Sequence, residues 1–429
     1  MPPLRVAIAG LGTVGAAVAD ILLSRKELIA ARCGRQIYLV AVSARDRSRD
    51  RGVDLSGVDW FDDASVMATQ AECDVVLELI GGEDGIAKSV CENAIAAGRH
   101  VVTANKALLA MHGTALAQAA EQTGVALGYE ASVAGGIPVI KALREGFAGN
   151  RISSIHGILN GTCNYILTTM RETGRDFDDV LSEAQELGYA EADPTFDIDG
   201  IDAAHKLALL ASVAFGTEVD FDAVHVEGIR HVSADDITFA DELGYRIKLL
   251  GIANQTDDGI EQRVYPCMVP MDAPLAHVEG VFNAVVAEGD AVGTSVLQGR
   301  GAGAGPTASA VISDIADIAR GTVLPVFSVP ASQLTPATTV SLDSRTGPYY
   351  VRLTVLDRPG VIADVSAALR DEQVSVEALL QRGRSEEGSV PVVLTLHETV
   401  EANMQRALDQ IAKLDSVVEP PCMIRIEHL

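Results

Sequence analysis

Apolar residues run with almost no alternation through Leu4-Arg-Val-Ala-Ile-Ala9, Ile37-Tyr-Leu-Val-Ala-Val42, Cys73-Asp-Val-Val-Leu-Glu-Leu-Ile80, His100-Val-Val-Thr103 and Val125-Ala-Leu-Gly-Tyr129. Strands of this kind are covered on both faces. Helix-spaced stretches lie between them: one after a glycine turn through Leu23, one over Ile86–Ala97 stopped by Gly98, and one over 107–122 stopped near Gly124. Buried strands alternating with helices predict an α/β unit with a parallel sheet.

From about residue 137 the texture shifts to longer amphipathic helices and half-buried strands, among them Val264–Val269 and Phe282–Val286, which predicts an α+β unit. The most glycine-dense stretch, 299–306, feeds a helix expected over Thr307–Arg320. It reads either as a flexible loop or as a place where helix N–H groups meet an anion. A Pro/Ser/Thr-rich connector follows. Beyond it come a strand (Tyr349–Leu356), a turn (Asp357-Arg-Pro-Gly360), a helix (Val361–Glu372), strands at Val374–Leu380 and Ser389–His397, a helix over 401–413 and a last strand at Met423–Glu427. That order is βαββαβ, the ferredoxin-like arrangement. The expected units are 1–136, 137–329, a linker at 330–348, and 349–429.

A chain of 429 residues with 48% hydrophobic and 21% charged residues suits several globular units, each with its own core. The net charge of −26 argues against nucleic-acid and anionic-membrane partners, both of which need basic patches. Six cysteines, at 33, 73, 91, 163, 267 and 422, form no CxxC pair, which suits a reducing cytoplasm better than a disulfide framework or a zinc site. The apolar run Val6–Leu23 carries Gly10, Gly12, Gly15 and Asp20, so a strand-turn-helix explains it better than a signal peptide.

Gly10-x-Gly12-x-x-Gly15 follows a strand and opens a helix, the setting in which this spacing means dinucleotide binding. The second strand ends Ser43-Ala-Arg45-Asp46-Arg47, with no acid at Ser43 for a ribose hydroxyl. Arg45 and Arg47 suit a 2′-phosphate, so NADP is expected, with NAD left open by Asp46.

The richest chemistry lies in 188–206, Gly-Tyr-Ala-Glu-Ala-Asp-Pro-Thr-Phe-Asp-Ile-Asp-Gly-Ile-Asp-Ala-Ala-His-Lys. Asp199 is expected to cap a helix on which Asp202 and Lys206 sit four apart on one face. The pair reads either as a surface salt bridge or, because Leu-Ala-Leu-Leu follows, as a partly desolvated acid-base lysine.

Taken together, the glycine fingerprint, Thr103-Ala-Asn-Lys106, Glu130-Ala-Ser-Val-Ala-Gly-Gly-Ile-Pro138, Gly157-Ile-Leu-Asn-Gly-Thr162, the 188–206 stretch and Gly301–Thr307 resemble homoserine dehydrogenases of the long bacterial type with a C-terminal ACT domain. The resemblance implies a Rossmann domain at 1–136, a substrate and dimerisation domain at 137–329 and an ACT domain at 349–429. It also implies NAD(P)H-dependent reduction of L-aspartate 4-semialdehyde to L-homoserine, on the route to threonine, isoleucine and methionine. Lys206 would then be the proton donor and Asp202 would orient it and anchor substrate, with Lys106 beside substrate and nicotinamide. Glu191 would take the substrate ammonium, with Tyr189, Gly161 and Thr162 completing the pocket, and Asp193, Asp197 and Asp199 would serve mainly turn and cap. The dinucleotide would meet Gly10, Leu11, Gly12, Thr13, Val14, Gly15, Arg45, Lys106, Gly188 and Gly303. Glu130 with the carbonyls of Val133, Gly135 and Ile137 would hold a monovalent cation, sodium. Threonine feedback at the Asp357–Gly360 turn and a homodimer or homotetramer are implied as well.

Two rivals remain. An aspartate-semialdehyde dehydrogenase, or a similar NADP-dependent semialdehyde oxidoreductase, needs an acylating cysteine with a histidine base. Cys163 is the candidate, and no histidine motif accompanies it. A catalytically inactive amino-acid sensor would be expected to have lost one of Lys106, Glu191, Asp202 and Lys206, and all four are present.

Overall fold

The structure, a computed structural model, describes residues 1–381 and 388–429. Residues 382–387, inside the expected 349–429 unit, lie outside the described residues. The first sheet is built from β1 (Leu4–Ala9), β2 (Ile37–Ser43), β3 (Asp59–Phe61), β4 (Val75–Glu78), β5 (His100–Thr103) and β6 (Leu127–Gly128). Its order is β3-β2-β1-β4-β5-β6 and every pairing is parallel. The register sets Ala9 beside Ser43 and Glu78, and Glu78 beside Thr103, so the carboxyl ends of four strands finish level. A crevice at such ends is where an open parallel sheet binds ligands. The strand expected over Val125–Tyr129 shortens to β6, because the chain turns at once into the 3-10 turn Glu130–Ser132.

The second sheet contains β7 (Ile152–Ile158), β8 (His225–Val226), β9 (Tyr245–Thr256), β10 (Gly259–Pro270), β11 (Phe282–Gly289), β12 (Gly293–Arg300), β13 (Thr346–Leu356), β14 (Val376–Gln381), β15 (Ser389–Val400) and β16 (Cys422–Ile426). Its order is β12-β11-β7-β9-β10-β16-β13-β15-β14, with β8 beside β10. The C-terminal βαββαβ unit forms as the pattern predicts, with helices Val361–Asp371 and Glu401–Ile411. Its sheet does not stand alone: β16 pairs in parallel with β10, Cys267 opposite Arg425 and Met268 opposite Ile426. Tyr265, Tyr349 and Tyr350 are fully buried along this seam.

The helix expected over Thr307–Arg320 begins earlier, at Ala304, and Gly299 and Arg300 belong to the end of β12. The glycine-rich loop is therefore only 301–303. Ala308, Val311, Ile315 and Ile318 of this helix join Val18 and Leu22 of helix Thr13–Ser24 in one core. The chain thus leaves the first unit near residue 130 and returns to seal it.

Candidate active site

Helix Ile201–Phe215 carries the centre of the site. Asp199 does not cap it: the N-cap is Gly200 in a left-handed conformation (φ +84°), while Asp199 accepts from Arg230 Nε at 2.5 Å. The residue in this turn has Val226 and Val264 closing over it, and glycine meets both that crowding and the positive φ. One turn on, Asp202 is 5% exposed and Lys206 9%. Lys206 Nζ donates to Asp202 Oδ2 at 2.6 Å and to the Leu159 carbonyl at 2.7 Å. Burial excludes the surface-salt-bridge alternative, since removing either partner would strand a charge away from water.

Lys106 arrives from the first unit, at the N-terminus of helix Lys106–Thr123, and places Nζ 3.1 Å from the other oxygen, Asp202 Oδ1. Asn105 sets that position: its side chain caps Leu108 N at 3.1 Å and donates to the Gly82 carbonyl at 2.6 Å. Burial alone would raise the Asp202 pKa, but the ammonium groups of Lys206 and Lys106 outweigh it and hold the carboxyl well below its usual range. Asp202 is therefore an anion throughout the neutral range.

Asp193, Asp197 and Asp199, all expected in turns and caps, have separate roles. Asp193 does turn the chain, accepting from Thr195 N at 3.1 Å. Asp197 joins the cluster instead. Asn160 Nδ2 bridges Asp197 Oδ1 and Asp202 Oδ2, both at 2.8 Å, and burial followed by the Asp202 charge pushes the Asp197 carboxyl up. Tyr189 and Glu191 are exposed, on the loop that also holds Gly188. That loop is tied down where Thr162 Oγ1 donates to the Tyr189 carbonyl at 2.8 Å. Glu191 is not drawn into the lysine cluster; its carbonyl accepts from Gln185.

Three residues of the site had no role expected of them, although Phe196 and His205 lie in the 188–206 stretch and only Phe221 falls outside it. Phe196, His205 and Phe221 stack in series, with centroids 5.4 Å and 4.3 Å apart, and Lys106 Nζ lies 5.7 Å above the Phe196 ring. Burial, then the Lys106 charge, lowers His205 to about 4, so it is neutral at pH 7. Asn160 could have been suspected from its place at the N-cap of helix Gly161–Thr173. The stacked rings could not, because stacking is decided by packing between distant segments.

A cleft of about 490 Å³ joins this cluster to the ends of β4 and β5, walled by Gly81–Glu83, Ala104–Ala107, Phe196 and His205. At the neighbouring strand end, Gly10 (φ +99°) packs on the Leu79 carbonyl, and a side chain at Gly15 would overlap the Gly10 carbonyl. Both glycines are therefore required for the turn. Leu11 is buried, Gly12 caps helix Thr13–Ser24, and among the described residues no side chain caps the first-turn N–H groups. Gly303 (φ +110°) caps helix Ala304–Arg320. Arg45 is exposed, whereas Arg47 and Arg51 lie over Trp60 at 5.7 and 5.5 Å, and Arg51 Nε donates to the Leu11 carbonyl at 3.1 Å. Arg51 was not among the expected contacts.

In the 130–138 loop, Glu130 is buried and accepts from Ile140 N and Lys141 N, each at 2.9 Å. Burial and the nearby Asp314 raise its carboxyl to about 7. Ala134 and Gly135 both hold positive φ (54° and 52°), and the Ile137 carbonyl accepts from Val139 N at 2.8 Å.

Cys163 lies at the edge of the cluster, where its Sγ donates to the Asp197 carbonyl at 3.2 Å. It is fully buried, and burial pushes its thiol well above the usual value, the opposite of an activated nucleophile. The acylating-cysteine rival has no support in this geometry.

Comparison with known proteins bears on the same features. The homoserine dehydrogenase family profile matches residues 138–316, the profile of the homoserine dehydrogenase NAD-binding domain matches 10–130, and the ACT domain profile matches 349–416. A homoserine dehydrogenase from Neisseria gonorrhoeae is 46% identical, with all of both chains covered. This chain belongs to the homoserine dehydrogenase family. The crystal structure of a homoserine dehydrogenase from Thiobacillus denitrificans is similar at 43% identity and a TM-score of 0.93, covering 100% of this chain and 99% of that one. A hyperthermophilic archaeal homoserine dehydrogenase solved in complex with NADPH is similar over 73% of this chain and 97% of its own, at 28% identity and a TM-score of 0.62. In family terms, the NAD-binding profile ends at Glu130 and the homoserine dehydrogenase profile starts at Pro138, so the buried 130–138 loop joins the two matched regions. Among the described residues no helix is long and apolar enough to cross a membrane.

Proposed function

We propose that this enzyme reversibly reduces L-aspartate 4-semialdehyde to L-homoserine, with Lys206 delivering the proton to the carbonyl oxygen. The observation that carries the proposal is the single anion, Asp202, shared by Lys206 and Lys106 beside the dinucleotide crevice. Reducing an aldehyde requires a hydride at carbon and a proton at oxygen, and a bound nicotinamide supplies the hydride. Lys206 is held on two acceptors, so its remaining N–H is available to donate to the oxygen as charge develops. Lys106 polarises or holds the substrate from the other side of Asp202. Glu191, Tyr189, Gly161 and Thr162 receive the amino-acid portion, which requires the exposed 188–191 loop to fold inward over substrate. The test is dinucleotide oxidation with aspartate semialdehyde, wild type beside Lys206→Ala; full turnover in the variant would refute the assignment.

The residues present fit a dinucleotide: Gly10 and Gly15 have no room for side chains, Gly12 is open on its outer side, and the first-turn N–H groups of helix Thr13–Ser24 are left for a pyrophosphate. Leu11, Thr13, Val14, Gly188 and Gly303 complete that contact set. Arg45 and Arg47 favour NADP over NAD, and the archaeal relative solved with NADPH is in keeping with this. The loop around Glu130 fits a monovalent cation such as sodium, because its carboxylate is buried without a full counter-charge and no hydrogen bond among the described residues uses the Val133 or Gly135 carbonyl. With Ile137 these would ligate the ion in a structural role. The product feeds threonine, isoleucine and methionine synthesis in the cytoplasm. At the Asp357–Gly360 turn, Gly360 (φ +99°) caps helix Val361–Asp371, and threonine acts there as feedback inhibitor in a homodimer or homotetramer.

A further inference from the structure

The Leu159 carbonyl, one of the two acceptors of Lys206, is shared with a second donor. Lys206 Nζ reaches it at 2.7 Å and Asn283 Nδ2 at 3.0 Å. A carbonyl oxygen has two lone pairs, so this pair of donors fills it. The meeting follows from strand register. The antiparallel pairing of β7 with β11 ends at Ile158 opposite Ala284, and the next residue on each strand is Leu159 and Asn283. Leu159 then precedes Asn160, the N-cap of helix Gly161–Thr173, whose side chain holds Asp202 Oδ2 at 2.8 Å. Each acceptor of Lys206 is therefore steadied by an asparagine, Asp202 by Asn160 and the carbonyl by Asn283.

Asn283 is 1% exposed, and the other end of its amide is spent on nothing: among the described residues Oδ1 is buried without a partner. Exchanging the amide oxygen and nitrogen would set two oxygens face to face, so the Leu159 carbonyl decides the orientation. An unsatisfied buried acceptor costs stability, and an apolar residue would avoid that cost. The backbone makes room for the amide all the same. Gly301, the first residue of the 301–303 loop, lies so close that a Cβ there would overlap the Asn283 amide. The bond to the Leu159 carbonyl is the feature of Asn283 that touches the chemistry.

An ammonium has three N–H groups at fixed angles, so two occupied acceptors set the direction of the third. We propose that Asn283 is a positioning residue for proton transfer: by holding the Leu159 carbonyl it keeps Lys206 Nζ on both acceptors and aims its third N–H at the substrate oxygen, which takes the proton as hydride arrives at carbon. The inference rests on Lys206 being the proton donor. The competing role is support of the 301–303 loop, and with it of the dinucleotide contact at Gly303; kinetics separates the two.

Asn283→Ala removes the donor and the orphan acceptor together, and Asn283→Asp keeps the shape but, as a carboxylate, has no donor. Each is made alone and in the Lys206→Ala background, with kcat, both KM values, the solvent deuterium isotope effect and Tm measured for semialdehyde reduction. Either substitution alone is expected to lower kcat by about ten- to a hundredfold, the scale of a misplaced reacting group. The isotope effect on kcat should rise, because proton transfer becomes the slower step. In the Lys206→Ala background the same substitution should change the residual kcat and the KM for NADPH by less than about twofold, since the residue it acts through is already gone. An equal fall in kcat with and without Lys206 would overturn the proposal, as would a raised KM for NADPH at unchanged kcat. Full turnover in Lys206→Ala alone would instead refute the proton-donor assignment, and the inference with it.

Discussion

Asp202 Oδ2 sits 2.6 Å from Lys206 Nζ on the same helix, while its other oxygen faces Lys106 from the dinucleotide-binding unit at 3.1 Å. One buried carboxylate therefore fixes the distance between two lysines that the sequence separates by 100 positions. It also ties the first unit to the second beside the crevice at the ends of β4 and β5.

Lys206→Ala should lower kcat by about 10²–10⁴, the usual contribution of a positioned general acid, with KM for homoserine changed far less. Steady-state kinetics in both directions checks this. A fall confined to KM would make Lys206 a binding group only.

Asp202→Ala should destabilise the fold by about 3–5 kcal/mol, because two ammonium groups lose a shared buried counter-charge. Asp202→Asn keeps the size and one acceptor oxygen, enough for one lysine and not for both, and should lose less stability while still losing most activity. Chemical denaturation of the two variants separates packing from charge.

Gly15→Ala should raise the KM for NADPH by more than an order of magnitude, since a methyl there overlaps the Gly10 carbonyl and must spread the turn. Gly12→Ala leaves the turn itself unstrained, because no protein atom lies within contact of a Cβ at that position, so it should raise the same KM by crowding the pyrophosphate without the loss of thermal stability expected of Gly15→Ala. The comparison tests the turn geometry directly.

Burial would raise the Glu227 carboxyl, but His225 and Arg425 outweigh it and hold it down at about 2 against an ordinary 4.5. A carboxyl depressed in the folded state stabilises above its unfolded pKa and loses that contribution as pH falls through the folded value. Stability should therefore decline between about pH 4.5 and 2, and Glu227→Gln should flatten that part of the profile. An unchanged slope in the variant would show that the pairing adds nothing to the fold.

Glu130 has the opposite sign. Its carboxyl is raised to about 7, so ionising it costs folded-state stability, and the cost is fully present above that pH. A cation at the carboxylate offsets the cost. Replacing sodium by choline at constant ionic strength should lower Tm more above pH 7 than below it, and Glu130→Gln should abolish the difference. Equal Tm values in the two salts would remove the cation from the loop.

Much of this protein is written locally. The parallel sheet follows from strands apolar on both faces, the phosphate turn from glycines one strand-length into the chain, and the Asp202–Lys206 pairing from a spacing of four on a helix, all properties of a few consecutive residues. That is why the βαββαβ unit and the dinucleotide fold were legible within a residue or two at most element ends. Asp199 illustrates the limit: its type and place suit an N-cap, yet Arg230, 31 positions on, takes its carboxylate and leaves Gly200 to start the helix. Asp197 moved from turn to cluster because Asn160 reached it from another element.

The sequence by itself determined which elements form and which residue types stand at the site, because periodicity, glycine conformation and helix spacing act over short range. Only the tertiary structure decided that Asp202 is shared by two lysines, that His205 is sealed between two phenylalanines, and that β16 joins β10 into one sheet. Each of these is a contact between segments far apart in the chain, set by how buried surfaces pack and by the need of buried charge and backbone groups to find partners.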